Sequence, residues 1–306
     1  MATEILISEV GPRDGLQSIS QVMPLEAKCA WIDAEHAAGV TEIEVGSFVS
    51  PKLLPQMADT AKVVEHALTL PGLTVAVLVP NLHGAEAAVR SGADKITIPF
   101  SASQTHSLKN VRRTHAQMFE ETSRIVALLR ELPPEQRPLF EAGISTAFGC
   151  TYEGVVPADQ VIRLAAKLIE IGCDAVGLAD SVGYANPRQI KLLVSAVTEA
   201  IGRERFAGLH LHNTRGLGLA NVVAGLELGV DSFDSSLGGL GGCPFAPGAT
   251  GNIVTEDLVF MLESMGFSTG IDLHKLLKAR DVLTQALPGE ELYGYLPAAG
   301  LPRGFE

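Results

Sequence analysis

Residues 208–216 read GLHLHNTRG, and His210 and His212, with Asn213 directly after them, are the side chains whose spacing most invites chemistry. On a β-strand the two imidazoles face the same way, roughly 6.5–7 Å apart along the chain. Such a pair can grip a metal ion; it can equally be a hydrogen-bonded pair in a core. Asp14, in the stretch GPRDGLQ, is the natural third ligand, and Asn252 could add an amide oxygen. One carboxylate, two imidazoles and an amide or waters suit a six-coordinate Mg²⁺ or Mn²⁺ with positions left for substrate oxygens. Zinc fits less well, because no cysteine stands among the obvious ligands.

The neighbouring residues suit carbon–carbon cleavage or formation. A divalent ion chelating a hydroxyl and an adjacent carbonyl or carboxylate lowers the hydroxyl pKa and fixes the substrate. Breaking the next bond leaves an enolate, which needs a nearby cation or strong donor. Arg13, next to Asp14, could supply that charge. The enolate must then be protonated at carbon, and Cys243, with an unperturbed pKa near ~8.5, is a reasonable donor. Its loop also holds Gly238, Gly239, Gly241, Gly242, Gly248 and Gly251, enough freedom to close over the reaction. The same loop can be read as a phosphate-binding turn, with Cys243 inert.

These side chains need a frame. Eight short β-rich runs occur at 6–10, 42–48, 74–80, 95–101, 139–146, 175–181, 208–213 and 232–237. Between them lie helical patterns such as 24–39, 82–92 and 158–172, and helix, glycine, strand recurs at Gly39, Gly92, Gly172 and Gly229. No linker divides the chain. The rhythm predicts an α/β fold, a (β/α)₈ TIM barrel forming a single catalytic domain over residues 1–306, with a short C-terminal helical extension. An open doubly wound sheet is the competitor, but no Gly-rich dinucleotide fingerprint follows the first strand.

In such barrels the chemistry sits where the strands end. Arg13, Asp14 and Gln17 follow the first strand, and Glu44 and Ser47 lie in the second. Asn81, Ser101 and Asp180 close the third, fourth and sixth, the histidines occupy the seventh, and Cys243 and Asn252 follow the eighth. Around a closed barrel, strands one and seven are separated only by strand eight. This gathering of polar groups favours a site over a chance pair of histidines.

With 35 acidic and 23 basic side chains the formal charge is −12, which argues against nucleic acid or an anionic membrane as a partner. An anionic small substrate remains open. Lys109, Arg112 and Arg113 would make a local basic patch for one, or an ordinary solvated face. The N-terminus MATEILISEV resembles neither a secretory signal nor an Arg-rich transit peptide, and no apolar run approaches the ~20 residues of a membrane span. Cys29, Cys150, Cys173 and Cys243 are scattered without CxxC spacing, so a reducing cytoplasm is the expected compartment.

Five stretches, GPRDGLQ, GSFVSPKLLPQMADT, STAFGCTYEG, HLHNTRGLGLAN and GLGGCPFAPGATGNIVTEDLVFML, resemble the hydroxymethylglutaryl-CoA lyases, a group within the barrel metallolyases that also includes citramalate and isopropylmalate synthases. The resemblance runs from about Val10 to about Ala286 and is most specific around Cys243. It implies metal ligation by Asp14, His210 and His212 with Asn252 at the metal, enolate stabilisation by Arg13 and proton donation by Cys243. It also implies a need for Glu44, which would orient Arg13 or help move protons, and places Asp180 near the site. The substrate implied is an acyl-CoA thioester, 3-hydroxy-3-methylglutaryl-CoA, split into acetyl-CoA and acetoacetate without an organic cofactor, by a protein that is commonly a homodimer.

Departures from the family pattern bear on the substrate. Where DTYGQALAN is usual, this chain has NTRGLGLAN, so Asn213 and Arg215 replace an aspartate and a tyrosine, and Pro247 stands where a glutamine is usual. A new cation at Arg215 could meet a carboxylate held differently, which makes citramalyl-CoA, cleaved to acetyl-CoA and pyruvate, the close alternative. A condensing synthase using acetyl-CoA is the reading from a different class.

Overall fold

The computed structural model describes residues 3–241 and 251–305. Eight parallel strands close into one barrel in sequential order. They are β1 (Leu6–Glu9), β2 (Glu42–Ser47), β3 (Thr74–Leu78), β4 (Lys95–Ser101), β5 (Leu139–Ser145), β6 (Ala175–Asp180), β7 (Phe206–Leu211) and β8 (Ser232–Ser235). Closure comes through the β1–β8 pairing, with Leu6 opposite Ser232 and Ser8 opposite Asp234. This is the expected (β/α)₈ barrel.

Helices form the outer ring. After β1 comes α1 (Leu25–Ala38), after β2 α2 (Thr60–Ala67), and after β3 α3 (Leu82–Ser91). Two helices, α4 (Gln104–Asn110) and α5 (His115–Arg130), follow β4, and then come α6 (Ala158–Ile171), α7 (Pro187–Ile201) and α8 (Gly218–Leu226). The chain continues into α9 (Thr255–Ser264), α10 (Leu273–Ala286) and α11 (Leu296–Ala299), the last two being the expected C-terminal extension. Helices α1 and α3 stop at Gly39 and Gly92, both in the left-handed conformation that a side chain disfavours. Among the described residues no helix is long and apolar enough to cross a membrane.

Alternation along the strands explains both the stability and the opening of the barrel. Branched and aromatic residues such as Ile7, Ile43, Val75, Ile96, Phe140 and Phe233 belong to the apolar core shared with the helices. The alternate positions face inward and are small or charged: Ser8, Glu42, Glu44, Lys95, Glu141, Gly143, Gly177, Ser232 and Asp234. Barrels of this kind usually fill their interior with bulky branched side chains. Here the interior is instead a cavity of about 670 Å³ that reaches the C-terminal mouth. An ion triad lies deep in it, with Lys95 Nζ 3.0 Å from Glu42 Oε1 and 2.9 Å from Glu141 Oε2. Burial alone would lower the Lys95 ammonium, but the two carboxylates outweigh it and hold the charge in place.

Candidate active site

Asp14 is positioned by the turn that ends β1. Residues Gly11–Gly15 form a single π-helical turn in which the Val10 carbonyl accepts from Arg13 N (3.1 Å) and Asp14 N (2.7 Å). Glu9, wholly buried, accepts from Gly11 N (2.8 Å), from Leu237 N (3.0 and 3.1 Å) and from Thr255 Oγ1 (2.7 Å). One carboxyl therefore ties the first loop to the turn after β8 and to the start of α9. The segment Gly251–Val254 lies between the ends of β7 and β8: Asn213 N donates to Gly251 O (3.0 Å) and Ser236 N to Ile253 O (3.0 Å). His212, one residue beyond β7, is bridged to Asn252 in this way.

The result is a tight cluster. His210 Nε2 and His212 Nε2 each lie 4.0 Å from Asp14 Oδ2, and 3.0 Å from one another. Asp14, His210 and His212 can offer three ligand atoms that all lie within 4.8 Å of one another. Asn252 Nδ2 donates to Asp14 Oδ2 (2.9 Å) and to Leu240 O (3.2 Å), and its Oδ1 is buried without a hydrogen-bond donor. Two facing imidazole nitrogens, a carboxylate and an orphaned amide oxygen make a donor set that a divalent cation fits.

Electrostatics support the same use. Burial would raise the Asp14 carboxyl, but Arg13, His210 and His212 outweigh it and hold it well below the usual carboxylate range. Burial first, then the adjacent His210, lowers His212 to about 4, so its ring is neutral and able to ligate at physiological pH. Burial also acts to lower His210, yet its bond to Asp234 and the charge of Asp14 raise it overall. His210 Nδ1 donates to Asp234 Oδ2 at 3.0 Å, which turns the Nε2 lone pair toward Asp14.

Arg13 completes the inner site. Its Nε donates to Glu44 Oε2 and its Nη1 to Asp14 Oδ1 (2.6 Å), leaving further N–H groups for a substrate oxygen. Burial lifts the Glu44 carboxyl even against the Arg13 charge. Gln17 Nε2 donates to the same Asp14 oxygen at 3.1 Å.

Arg13, Asp14, Gln17, Glu44, His210 and His212 all line the cavity, and Asn252 adjoins it through Asp14. Three other candidates are not brought there. Ser47 is fully buried away from the lining, and Asp180 caps its own loop by accepting from Tyr184 N (2.8 Å) and Ala185 N (2.9 Å). Arg215 Nη1 donates to the Val182 and Gly183 carbonyls (both 3.0 Å) and its guanidinium sits 4.5 Å over the Tyr184 ring, clear of the cavity. Cys243 lies outside the described residues. Asp234 was missed from sequence; its signal was a carboxylate at an inward position of a barrel strand.

Comparison with known proteins agrees with this architecture. The family profile described as HMGL-like matches residues 4–283. Hydroxymethylglutaryl-CoA lyase YngG of Bacillus subtilis is 41% identical over 279 residues, covering 90% of this chain and 91% of that protein. The mitochondrial hydroxymethylglutaryl-CoA lyase of Homo sapiens is 40% identical over 283 residues, covering 92% of this chain and 86% of that protein. The solved structure of an HMG-CoA lyase from Acinetobacter baumannii, in complex with coenzyme A and 3-methylmalate, superposes with a TM-score of 0.91 at 41% identity, covering 99% of this chain and 97% of that one. The match spans nearly the whole barrel, and the chain belongs to the HMGL-like family.

Proposed function

We propose that this protein is a carbon–carbon lyase that splits 3-hydroxy-3-methylglutaryl-CoA into acetyl-CoA and acetoacetate. The observation that carries this reading is the Asp14–His210–His212 cluster beside a buried Arg13 in one cavity at the strand ends. Relatives named hydroxymethylglutaryl-CoA lyase, at 40–41% identity, support the substrate, and the relative solved with coenzyme A supports a thioester.

Asp14, His210 and His212 would hold the divalent ion, Mg²⁺ or Mn²⁺ by the hardness of the donor set, with the Asn252 amide beside it. Bound there, such an ion supplies Lewis-acid charge that eases removal of the proton from the substrate's C3 hydroxyl. The rest falls to the chain. The C2–C3 bond breaks, its electron pair passes to the thioester as an enolate, and C3 becomes the ketone of acetoacetate. Arg13, fixed by Glu44 and Asp14, offers N–H donors to the developing oxyanion. A proton then returns to C2, so the reaction consumes no net proton; Cys243 is the donor we assign. Glu44 keeps the guanidinium in one orientation, a positioning role.

A second reading rests on one specific observation. The 3-methylmalate bound by the Acinetobacter relative carries a carboxylate on its carbinol carbon, as citramalate does. Incubating the purified protein with each thioester and Mg²⁺ or Mn²⁺, and assaying acetyl-CoA with acetoacetate or pyruvate, separates the two. Turnover of 3-hydroxy-3-methylglutaryl-CoA that chelation abolishes is the expected result; turnover of citramalyl-CoA alone overturns the substrate assignment.

A further inference from the structure

The chemistry above uses only the upper part of the cavity, which continues below the metal-site residues between β5, β6 and β7. A belt of glycines opens it there. Gly143 on β5 pairs with Gly177 on β6, and Gly177 with Gly208 on β7. All three line the cavity, each two residues before Ser145, Ala179 or His210. The belt stands where barrels of this kind usually carry a layer of branched side chains.

Backbone geometry accounts for only one of the three. Gly208 has φ 139°, and a Cβ there would lie 2.5 Å from the Ser232 carbonyl oxygen. Gly143 and Gly177 are under no such constraint, for neither adopts a positive φ. A Cβ on Gly143 would meet the Thr97 methyl at 3.7 Å, and one on Gly177 the Gly208 oxygen at 3.5 Å and the Ala207 Cβ at 3.7 Å. Those are ordinary contacts, and glycine inside a strand costs stability. What these two glycines provide is room.

The room ends on charge. Glu42 and Glu141 each give one oxygen to Lys95 Nζ, and Asp234 adds a third carboxylate to the same lining. Three carboxylates against one ammonium leave the lower cavity negative and rich in acceptors, since a carboxylate that gives one lone pair to Lys95 has others to spare. A carboxylate end is repelled from such a floor. An apolar end strips it of water without replacing the hydrogen bonds, whereas a hydroxyl donates one and carries no further charge out of water.

Resting on the lyase reading above, we propose that this lower compartment takes the C3 substituent of the substrate, and that the protein also cleaves homologues of 3-hydroxy-3-methylglutaryl-CoA in which a hydroxyl-ended chain replaces the methyl. Two residues of strand, ~6.6 Å, are spanned by a chain of about four or five atoms. Gly143 and Gly177 admit the chain, and Glu42 and Glu141 accept from its hydroxyl. The substrate's own carboxylate, repelled from the floor, stays level with Arg13. The bond chemistry is unchanged: the C3 hydroxyl gives up its proton and becomes a ketone, the C2–C3 bond breaks, and one proton returns to C2. The products are acetyl-CoA and a 3-oxo acid that keeps the chain.

The test compares kcat/KM for 3-hydroxy-3-methylglutaryl-CoA with that for its homologues bearing 4-hydroxybutyl, pentyl or 3-carboxypropyl at C3, in the presence of Mg²⁺ or Mn²⁺. The wild type is expected to cleave the hydroxybutyl homologue roughly tenfold or more better than the pentyl and carboxypropyl ones. Gly143→Val fills the compartment, so its preference for hydroxybutyl over methyl should fall about tenfold or more, chiefly through KM. Gly177→Ala guards against a folding artefact: its unfolding midpoint should rise, because the unfolded chain loses freedom, while the same preference falls. A wild type that cleaves the methyl substrate but not the hydroxybutyl one, or a preference unchanged in both variants, overturns the compartment. Equal cleavage of pentyl and hydroxybutyl homologues overturns its polar floor. A wild type that binds the hydroxybutyl thioester more tightly than the methyl one, by calorimetry, yet cleaves neither overturns the lyase reading alone.

Discussion

His210 and His212 stand two residues apart and are chemically unlike. Asp234 takes the proton-bearing Nδ1 of His210, whereas His212 Nδ1 is buried without a hydrogen-bond partner. A carboxylate behind a ligating imidazole fixes its tautomer and raises its basicity, so in the proposed site Asp234 would position His210 for the metal. Asp234→Asn keeps size and an accepting oxygen but removes the charge. Mn²⁺ affinity, read from free Mn²⁺ by electron paramagnetic resonance, is expected to fall about 10–100-fold. An unchanged affinity would show that His210 needs no such partner. The cluster of candidate ligands was legible because His210, His212 and Asp14 are conspicuous residue types at strand ends. Asp234 was not, since a carboxylate midway along a short strand reads as an outward residue until barrel closure shows which positions face in.

At the level of elements, the turn Gly11–Gly15 decides whether Arg13 and Asp14 point into the barrel. It packs so closely that a Cβ on Gly11 would lie 2.5 Å from Glu9 Oε1 and 2.7 Å from the Trp31 ring. Gly11→Ala must therefore displace the turn, and urea unfolding is expected to show a loss of about 1–3 kcal/mol. The same variant should bind Mn²⁺ more weakly, because Asp14 moves with the turn; full stability with native metal affinity would refute this role. Strands and helices were readable to within a few residues because period-2 and period-3.6 patterns alternate cleanly and glycines punctuate them. β7 is shifted by two residues at each end, running Phe206–Leu211, since Gly208 interrupts its apolar pattern and the Asn252 segment finishes the pairing. The fates of Ser47, Asp180 and Arg215 were not readable, because a polar residue at a strand end caps its own loop as readily as it faces a ligand. Asp180 and Arg215 both satisfy backbone groups of the loop after β6.

For the whole molecule, the acidic balance extends to the interior as well as the surface. Glu9, Glu35 and Glu256 are each fully buried where α1, the β1 turn and α9 meet. Arg280 Nη1 neutralises Glu256 at 2.6 Å, whereas among the described residues no cation pairs with Glu9 or Glu35. Burial, and then the repulsion of Glu9, pushes Glu35 well above the ordinary carboxylate range, and burial raises Glu9 in the same way. For an acid whose folded pKa exceeds its unfolded value, the unfolded chain ionises first as pH rises. The stability associated with the protonated pair is therefore complete below an unfolded pKa of about 4.3 and declines as pH climbs toward the folded value. Glu35→Gln mimics the protonated group and lifts the repulsion on Glu9. Its urea midpoint should lie near the wild type's at pH 5 and above it at pH 8, the gap widening steadily between. Parallel midpoints across that range would mean that Glu35 ionises in the folded protein as easily as in water, and that the buried pair places no alkaline limit on this barrel.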